Sequence, residues 1–370
     1  MSWLNSLNNS TLEYLNNLKK PQKEFSYFPT SSSLTKEGKE IELGFSCYAI
    51  KILKLLDSID TLSSKEIDDW STYINSFQVE EGNFPVNSFV DKKYLNSFQS
   101  KLTLSKIINP VKSLSNYLQN TNYKTSELKL ENYVRAETKQ SIATLHEISK
   151  QNLSSYNEFP KKEGEIYNFL NNLNWQYPWN SGAQFSAICV FSKTQLSIKD
   201  YKIARNTLTK FSDSIVNVEN GLYYDGNYPN EKELINGAMK MITGFDWLDI
   251  EIHNPDKIID FCLNYKIPHE GCDIVDLVYV LYRCSKETEY RKKDIMLFFE
   301  NVLLILKKHL HNDGGFSYFE NLNQTHYYDI KIADQKNQAD IHGTLLCLWA
   351  VVMIMDFTEN DIFSYKIIRP

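Results

Sequence analysis

The sequence predicts an all-α fold, a single domain over residues 1–370 in which about six helical hairpins close into a ring, an (α/α)6 toroid. Three features carry this expectation. A unit of helix, polar turn with glycine and an aromatic residue, and second helix recurs at a spacing of roughly 45–60 residues. The second helix of each unit is the more apolar, which sorts the helices into an inner and an outer layer, because a helix buried on all sides is apolar on all sides. Neither end of the chain carries the strongly polar cap that an open stack of repeats needs, which favours closure into a ring; an open solenoid is the architectural alternative.

Taken in order, FSYFPT precedes the apolar run IELGFSCYAIKILKLL, where Ile50, Leu53 and the Leu55–Leu56 pair keep helical spacing. The clearest unit starts at Trp70, WSTYINSFQVEEGNFPVNSF, and resumes at ETKQSIATLHEIS; the stretch 91–129 is the least regular and reads as an irregular or extra helical insertion. IYNFLNNL and WQYPWN lead into SGAQFSAICVFSK, and SIVNVENGLYYDG leads into ELINGAMKMITGFDWL. PDKIIDFCLNYKIPHEG leads into CDIVDLVYVLYRC, with Leu277, Val280, Leu281 and Cys284 on one helical face. The last unit runs from ILKKHLHNDGGFSYF to ADIHGTLLCLWAVVMIM. Gly82–Phe84 and Gly314–Phe316 read as helix stops. Glu66–Ile67–Asp68–Asp69 reads as an acidic cap at the start of an outer helix.

Bulk properties exclude several classes of function. With 42% hydrophobic and 23% charged residues the chain has the make-up of a globular protein. A net charge of −6 without any lysine or arginine block argues against nucleic acid or an anionic membrane surface as partner. The longest apolar run, Leu345 to Met355, falls far short of the ~20 residues that span a bilayer, and the polar N-terminus lacks a signal-peptide core. Most of Cys47, Cys189, Cys262, Cys272, Cys284 and Cys347 sit in apolar helical runs, which fits reduced thiols and a cytoplasmic location.

YINSFQVEEGNFP and DGGFSYF resemble the Gln/Gly-Phe repeats of the terpenoid cyclase and protein prenyltransferase superfamily, whose members share an α/α toroid. The resemblance covers most of the chain as architecture and two units as motif. Class II cyclases open an inner helix with Asp-x-Asp-Asp and use the middle acid as proton donor. In CDIVDLVYVL, Asp273 and Asp276 stand where the outer acids would be and Val275 replaces the donor, which argues against ordinary protonation-initiated cyclisation. Prenyltransferase β subunits hold zinc with Asp, Cys and His at two inner-helix starts. Cys272, Asp273 and His342 are the residues here that suit a subsidiary zinc reading, although their order departs from the family pattern. No cofactor is required by the sequence; zinc or magnesium would be the metals to expect.

In such a ring the inner helices run the same way, so their N-termini converge on one mouth of the cavity. Candidate residues there are Asp273, Asp276 and Asp340 as catalytic acids, with Arg135, Glu137, Gln184, Asn236, Lys240 and His342 around them, and Trp179 and Tyr224 as aromatic walls. Asp273 and Asp276 share a helical face, as do Asn236 and Lys240. Acids and asparagines also cap helices in any fold. A cation near a helix N-terminus gains nothing from the dipole, so Arg135 and Lys240 point instead to an anionic ligand, which the converging N–H groups would favour.

The leading expectation is an enzyme of this superfamily acting on a small-molecule substrate, an isoprenoid or other apolar compound with an anionic head, with carboxylates doing the acid work. One alternative is a carbohydrate-active hydrolase, lyase or epimerase, because WQYPWNSGAQFSA and NGLYYDGNYP set Trp and Tyr beside Asn, Gln and Asp. The other is a non-catalytic binding or scaffold protein, for which the loss of the middle acid at Val275 speaks.

Overall fold

The computed structural model describes residues 2–80, 84–99 and 125–370. Most of them are helical, and the expected insertion falls largely outside them: 92–99 is helical, and the next helix begins at Ser126. In chain order the helices are α1 (Leu4–Leu18), α2 (Lys36–Glu40), α3 (Leu43–Leu55), α4 (Ser64–Asn75), α5 (Ser126–Glu147), α6 (Glu163–Asn171) and α7 (Pro178–Gln195). They continue as α8 (Ile198–Ile215), α9 (Glu231–Leu248), α10 (Pro255–Asn264), α11 (Gly271–Ser285), α12 (Lys292–His309) and α13 (Ile341–Phe357). A small antiparallel hairpin, β1 (His326–Tyr327) and β2 (Ile330–Lys331), precedes α13.

The helix starts follow from short polar side chains. Thr35, Ser63, Thr125, Ser197, Asn230 and Asp340 each accept a hydrogen bond from an early backbone N–H of the helix that follows. Ser63 and Glu66 form a reciprocal capping box, so the acidic cluster at 66–69 opens α4 as its sequence suggests.

Two kinds of helix alternate. Nearly every residue of α3, α11 and α13 is buried, whereas α4, α8, α10 and α12 bury one face. The apolar helices pack in sequence: α3 on α5, α5 on α7, α7 on α9, α9 on α11 and α11 on α13, and α13 returns to α3. Polar contacts show neighbours running in parallel. At the starts, Trp179 N donates to Glu233 and Asn236 donates to Asp273; at the ends, Lys193 pairs with Asp249, Arg283 with Asp246 and Lys286 with Asp356. Gly182, Gly237 and Gly244 let α7 and α9 approach so closely that a Cβ on Gly237 would stand 2.6 Å from Pro178. Buried apolar side chains form one continuous cluster from Leu4 to Ile368.

A repeated device ends four of the outer helices. After α1, α4, α8 and α12 the chain makes a single antiparallel bridge, Lys19 to Tyr27, Gln78 to Phe89, Val216 to Tyr223 and Leu310 to Phe316. Each returning residue is a buried aromatic ring that plugs the core beneath the turn. Gly82 lies outside the described residues, and Phe89 rather than Phe84 makes the bridge after α4. Gly314 has φ +89°, and a Cβ there would fall 2.2 Å from the Ser10 carbonyl oxygen of α1. Gly314→Ala therefore combines a left-handed backbone with a clash against main chain, and is expected to cost at least ~2 kcal/mol, read as a lower melting temperature.

Candidate functional site

Residues from all six apolar helices line one cavity of about 290 Å³. Tyr48 and Lys51 come from α3, Arg135 and Lys139 from α5, Ser186 from α7, Lys240 from α9, Cys272 and Asp276 from α11, and His342 and Trp349 from α13. Tyr328, in the turn of the β1–β2 hairpin, adds to the wall, as do Ile368 and Pro370. The 366–370 segment is held in place at the helix C-termini: Trp247 donates to the Pro370 carbonyl, Arg369 N donates to Glu147, and Lys366 pairs with Asp57 and Asp60.

The cavity is cationic. Among the described residues no hydrogen bond or ion pair engages the ammonium groups of Lys51, Lys139 or Lys240. Burial pulls the Lys51 and Lys139 amines below their ordinary range, and for Lys139 the charges of Lys240 and Lys51 act in the same direction. His342 is pushed down to about 3, first by burial and then by Lys240 and Lys51, so its ring is neutral. That ring stacks on Tyr48 at 4.8 Å between centroids, and its Nδ1 shares a hydrogen bond with Gln324. Arg135 donates to Gln184 at 3.3 Å and to Asn132 at 2.6 Å. Opposing these cations is Asp276, 3% exposed, which burial raises to about 6 while Lys240 pulls it back.

A second, apolar space adjoins the first. A groove of about 340 Å³ is walled by Phe84, Val134, Phe159, Phe169, Ile188 and Phe191, and it shares Arg135 and Ala187 with the cavity. Arg135, which donates to Gln184 on the groove side, thus stands between a cationic chamber and an aromatic one.

Behind the wall lies Glu137, fully buried. Its Oε1 accepts hydrogen bonds from the hydroxyls of Tyr327 and Tyr328, and its Oε2 has no partner among the described residues. Burial lifts this carboxyl to about 8, against the lowering effect of Tyr327, so it is protonated at neutral pH. Asp329, between Tyr328 and β2, is paired to Lys129 of α5, which ties the hairpin down over Glu137.

The structure distributes the residues singled out from sequence. Arg135, Lys240, Asp276 and His342 meet in the cavity, and Gln184 lines the groove. Asp273 does not line the cavity; Lys232 pairs with it at 2.6 Å and Asn236 donates to it at 3.1 Å. Asp340 is the cap of α13, its carboxylate accepting from the backbone N–H groups of Gly343, Tyr318 and Gln324. Trp179 is 39% exposed at the start of α7, away from the cavity lining. Tyr224 lines a separate polar cleft of about 700 Å³ with Trp175, Gln176 and Asp225.

One placement is corrected. Arg135 and Lys240 were expected at helix starts, but Thr125 and Asn230 cap α5 and α9 earlier, and both cations fall in the third turn. Their charges are therefore set against each other across a cavity, not against a helix dipole. Lys51, Lys139 and Tyr328 were not singled out from sequence, and Glu137, expected at the mouth, lies buried behind the wall against Tyr327 and Tyr328.

Cys272 and His342 share the cavity wall, but Asp273 is engaged elsewhere, and burial holds the Cys272 thiol up at about 12. Among the described residues no three His, Cys, Asp or Glu side chains gather as a metal site. All six cysteines are free, and no described helix is long and apolar enough to cross a membrane. No protein-family model, curated protein or solved structure matches this chain.

Proposed function

We propose that the six apolar helices close as an (α/α)6 toroid and that the chain is an enzyme acting on an apolar compound with an anionic head, in the manner of the terpenoid cyclase and prenyltransferase superfamily. The cyclic order of contacts, with α13 returning to α3, supports the architecture. The observation that carries the function is the cavity itself: three lysines and Arg135 converge without a matching set of acids, and the space continues past Arg135 into an aromatic groove.

The head, a diphosphate or a carboxylate, sits among Lys51, Lys139 and Lys240, where a desolvated site strengthens each charge interaction. The chain lies along Phe159, Phe169 and Phe191. Asp276 supplies proton transfer, because its raised carboxyl exchanges a proton near neutrality. Asp273 and Asp340 act in structure, holding α9 against α11 and capping α13.

The test compares farnesyl diphosphate with farnesol by thermal shift and calorimetry. The diphosphate is expected to raise the melting temperature, by an amount corresponding to about 2.7 kcal/mol at a hundredfold excess over Kd, and farnesol to leave it unchanged. Equal shifts, or none, would remove the anionic-head reading.

A carbohydrate-active role has one observation in its favour: the Trp175 and Tyr224 segments meet in the polar cleft. Among the described residues Asp225 is the only carboxylate lining that cleft, which leaves it without the acid pair that glycoside hydrolysis uses.

A further inference from the structure

We propose that Lys139 is a nucleophile, forming an imine with the ketone carbon of an oxo acid bound in the cavity. The proposal rests on the reading of the cavity as a site for an anionic head, and it names the class of head: a carboxylate with a carbonyl carbon beside it.

Four features place this chemistry at Lys139. Its side chain, half-buried, lines from the middle of α5 a cavity walled by all six apolar helices. Among the described residues no acid pairs with it, so nothing holds the amine in its protonated form by direct contact. Two further lysines face it, Lys51 from α3 and Lys240 from α9, and their positive charges oppose a third at the same place. From α11, Asp276 reaches the same space, the one carboxyl side chain lining the cavity among the described residues. Arg135, one turn earlier on α5, adds a further cation to the wall, and His342 on α13 and the Cys189 thiol on α7 are neutral. A lysine desolvated beside other cations is an amine with a free electron pair, the form that attacks a carbonyl.

The step balances without any further reagent. The Lys139 Nζ lone pair attacks the ketone carbon, and the carbonyl π pair moves to oxygen. The nitrogen of the adduct gives a proton to the Asp276 carboxylate while the oxygen is protonated from water. Asp276 then returns its proton to the carbinol hydroxyl, which leaves as water as the C=N bond forms. The resulting iminium gives up its proton to water, so amine and ketone become imine and water. Lys51, Lys240 and Arg135 hold the carboxylate throughout, which selects oxo acids over simple ketones.

The test treats the full chain with 2-oxooctanoate and sodium cyanoborohydride at neutral pH, then maps modified lysines by proteolysis and mass spectrometry. The melting temperature with 2-oxooctanoate alone reports binding in parallel. A reduced adduct is expected at Lys139 in at least tenfold excess over any other lysine. 2-Octanone, which lacks the carboxylate, is expected to give at least tenfold less. Lys139→Arg should keep the thermal shift and lose the adduct, and Asp276→Asn should keep the shift and slow adduct formation at least tenfold. A thermal shift with adducts spread over surface lysines, or centred on Lys51 or Lys240, overturns the role of Lys139 and leaves the cavity reading standing. Neither shift nor adduct overturns both.

Discussion

Glu137→Gln should make the protein more stable than the wild type at pH 8–9 and nearly equal to it at pH 4–5. The carboxyl of Glu137 is raised from 4.5 to about 8, chiefly by burial. For an acid raised on folding, the folded state holds its proton more tightly than the unfolded chain. Its stabilising contribution is full below the unfolded value and is lost as pH climbs through the folded one. The window is therefore pH 4.5 to 8, and the loss across it is on the order of 5 kcal/mol. Glutamine keeps the carbonyl oxygen that accepts from Tyr327 and Tyr328 and cannot ionise, so the variant lacks this slope. Denaturant melts of both proteins every half pH unit measure it. The difference curve isolates Glu137 from Asp276 and Asp340, whose raised carboxyls add slopes of the same sign in both proteins. A flat difference curve would mean that Glu137 is ionised in the folded state, with Tyr327 and Tyr328 sustaining the charge.

The contrast between what could and could not be read from residues alone has a physical basis. Alternating helices were legible because burial on one face and burial all round leave different periodicities, as in α12 against α13. Asp276 and His342 were legible as candidates because they sit in the first turns of their helices, and Arg135 and Lys240 because they are charges within apolar runs. Lys51 and Lys139 sit in the middle of theirs, where helical spacing alone does not say which neighbour they face. A signal was present for Lys51: α3 is buried nearly all round, so a lysine inside it must face a polar space or be unpaired. Asp273 and Asp276 look equivalent three residues apart, yet Lys232 of α9 claims one and leaves the other to the cavity. Glu137 meets Tyr327 across 190 positions of sequence, through a two-residue hairpin turn that no local pattern announces.

Replacing Lys51 with methionine should raise stability and weaken anion binding together. Lys51 has an amine lowered by burial, so the folded state binds its proton less tightly than the unfolded chain. The penalty is full at pH values below the folded amine's and shrinks as pH rises toward 10.5. Exchanging a buried charge for an apolar chain of similar length removes that penalty, a gain of about 1–4 kcal/mol when packing is kept. Lys51→Met is thus expected to melt several degrees higher than the wild type at pH 7, with the gap narrowing as pH rises. Lys51→Met and Lys240→Met should also weaken diphosphate or carboxylate binding at least tenfold. Opposite signs on the two measurements separate a site kept for a ligand from a core that tolerates misplaced lysines. If Lys51→Met melts lower, the Lys51 ammonium is stabilising the fold through contacts of its own, and the cavity is not held open for an anion.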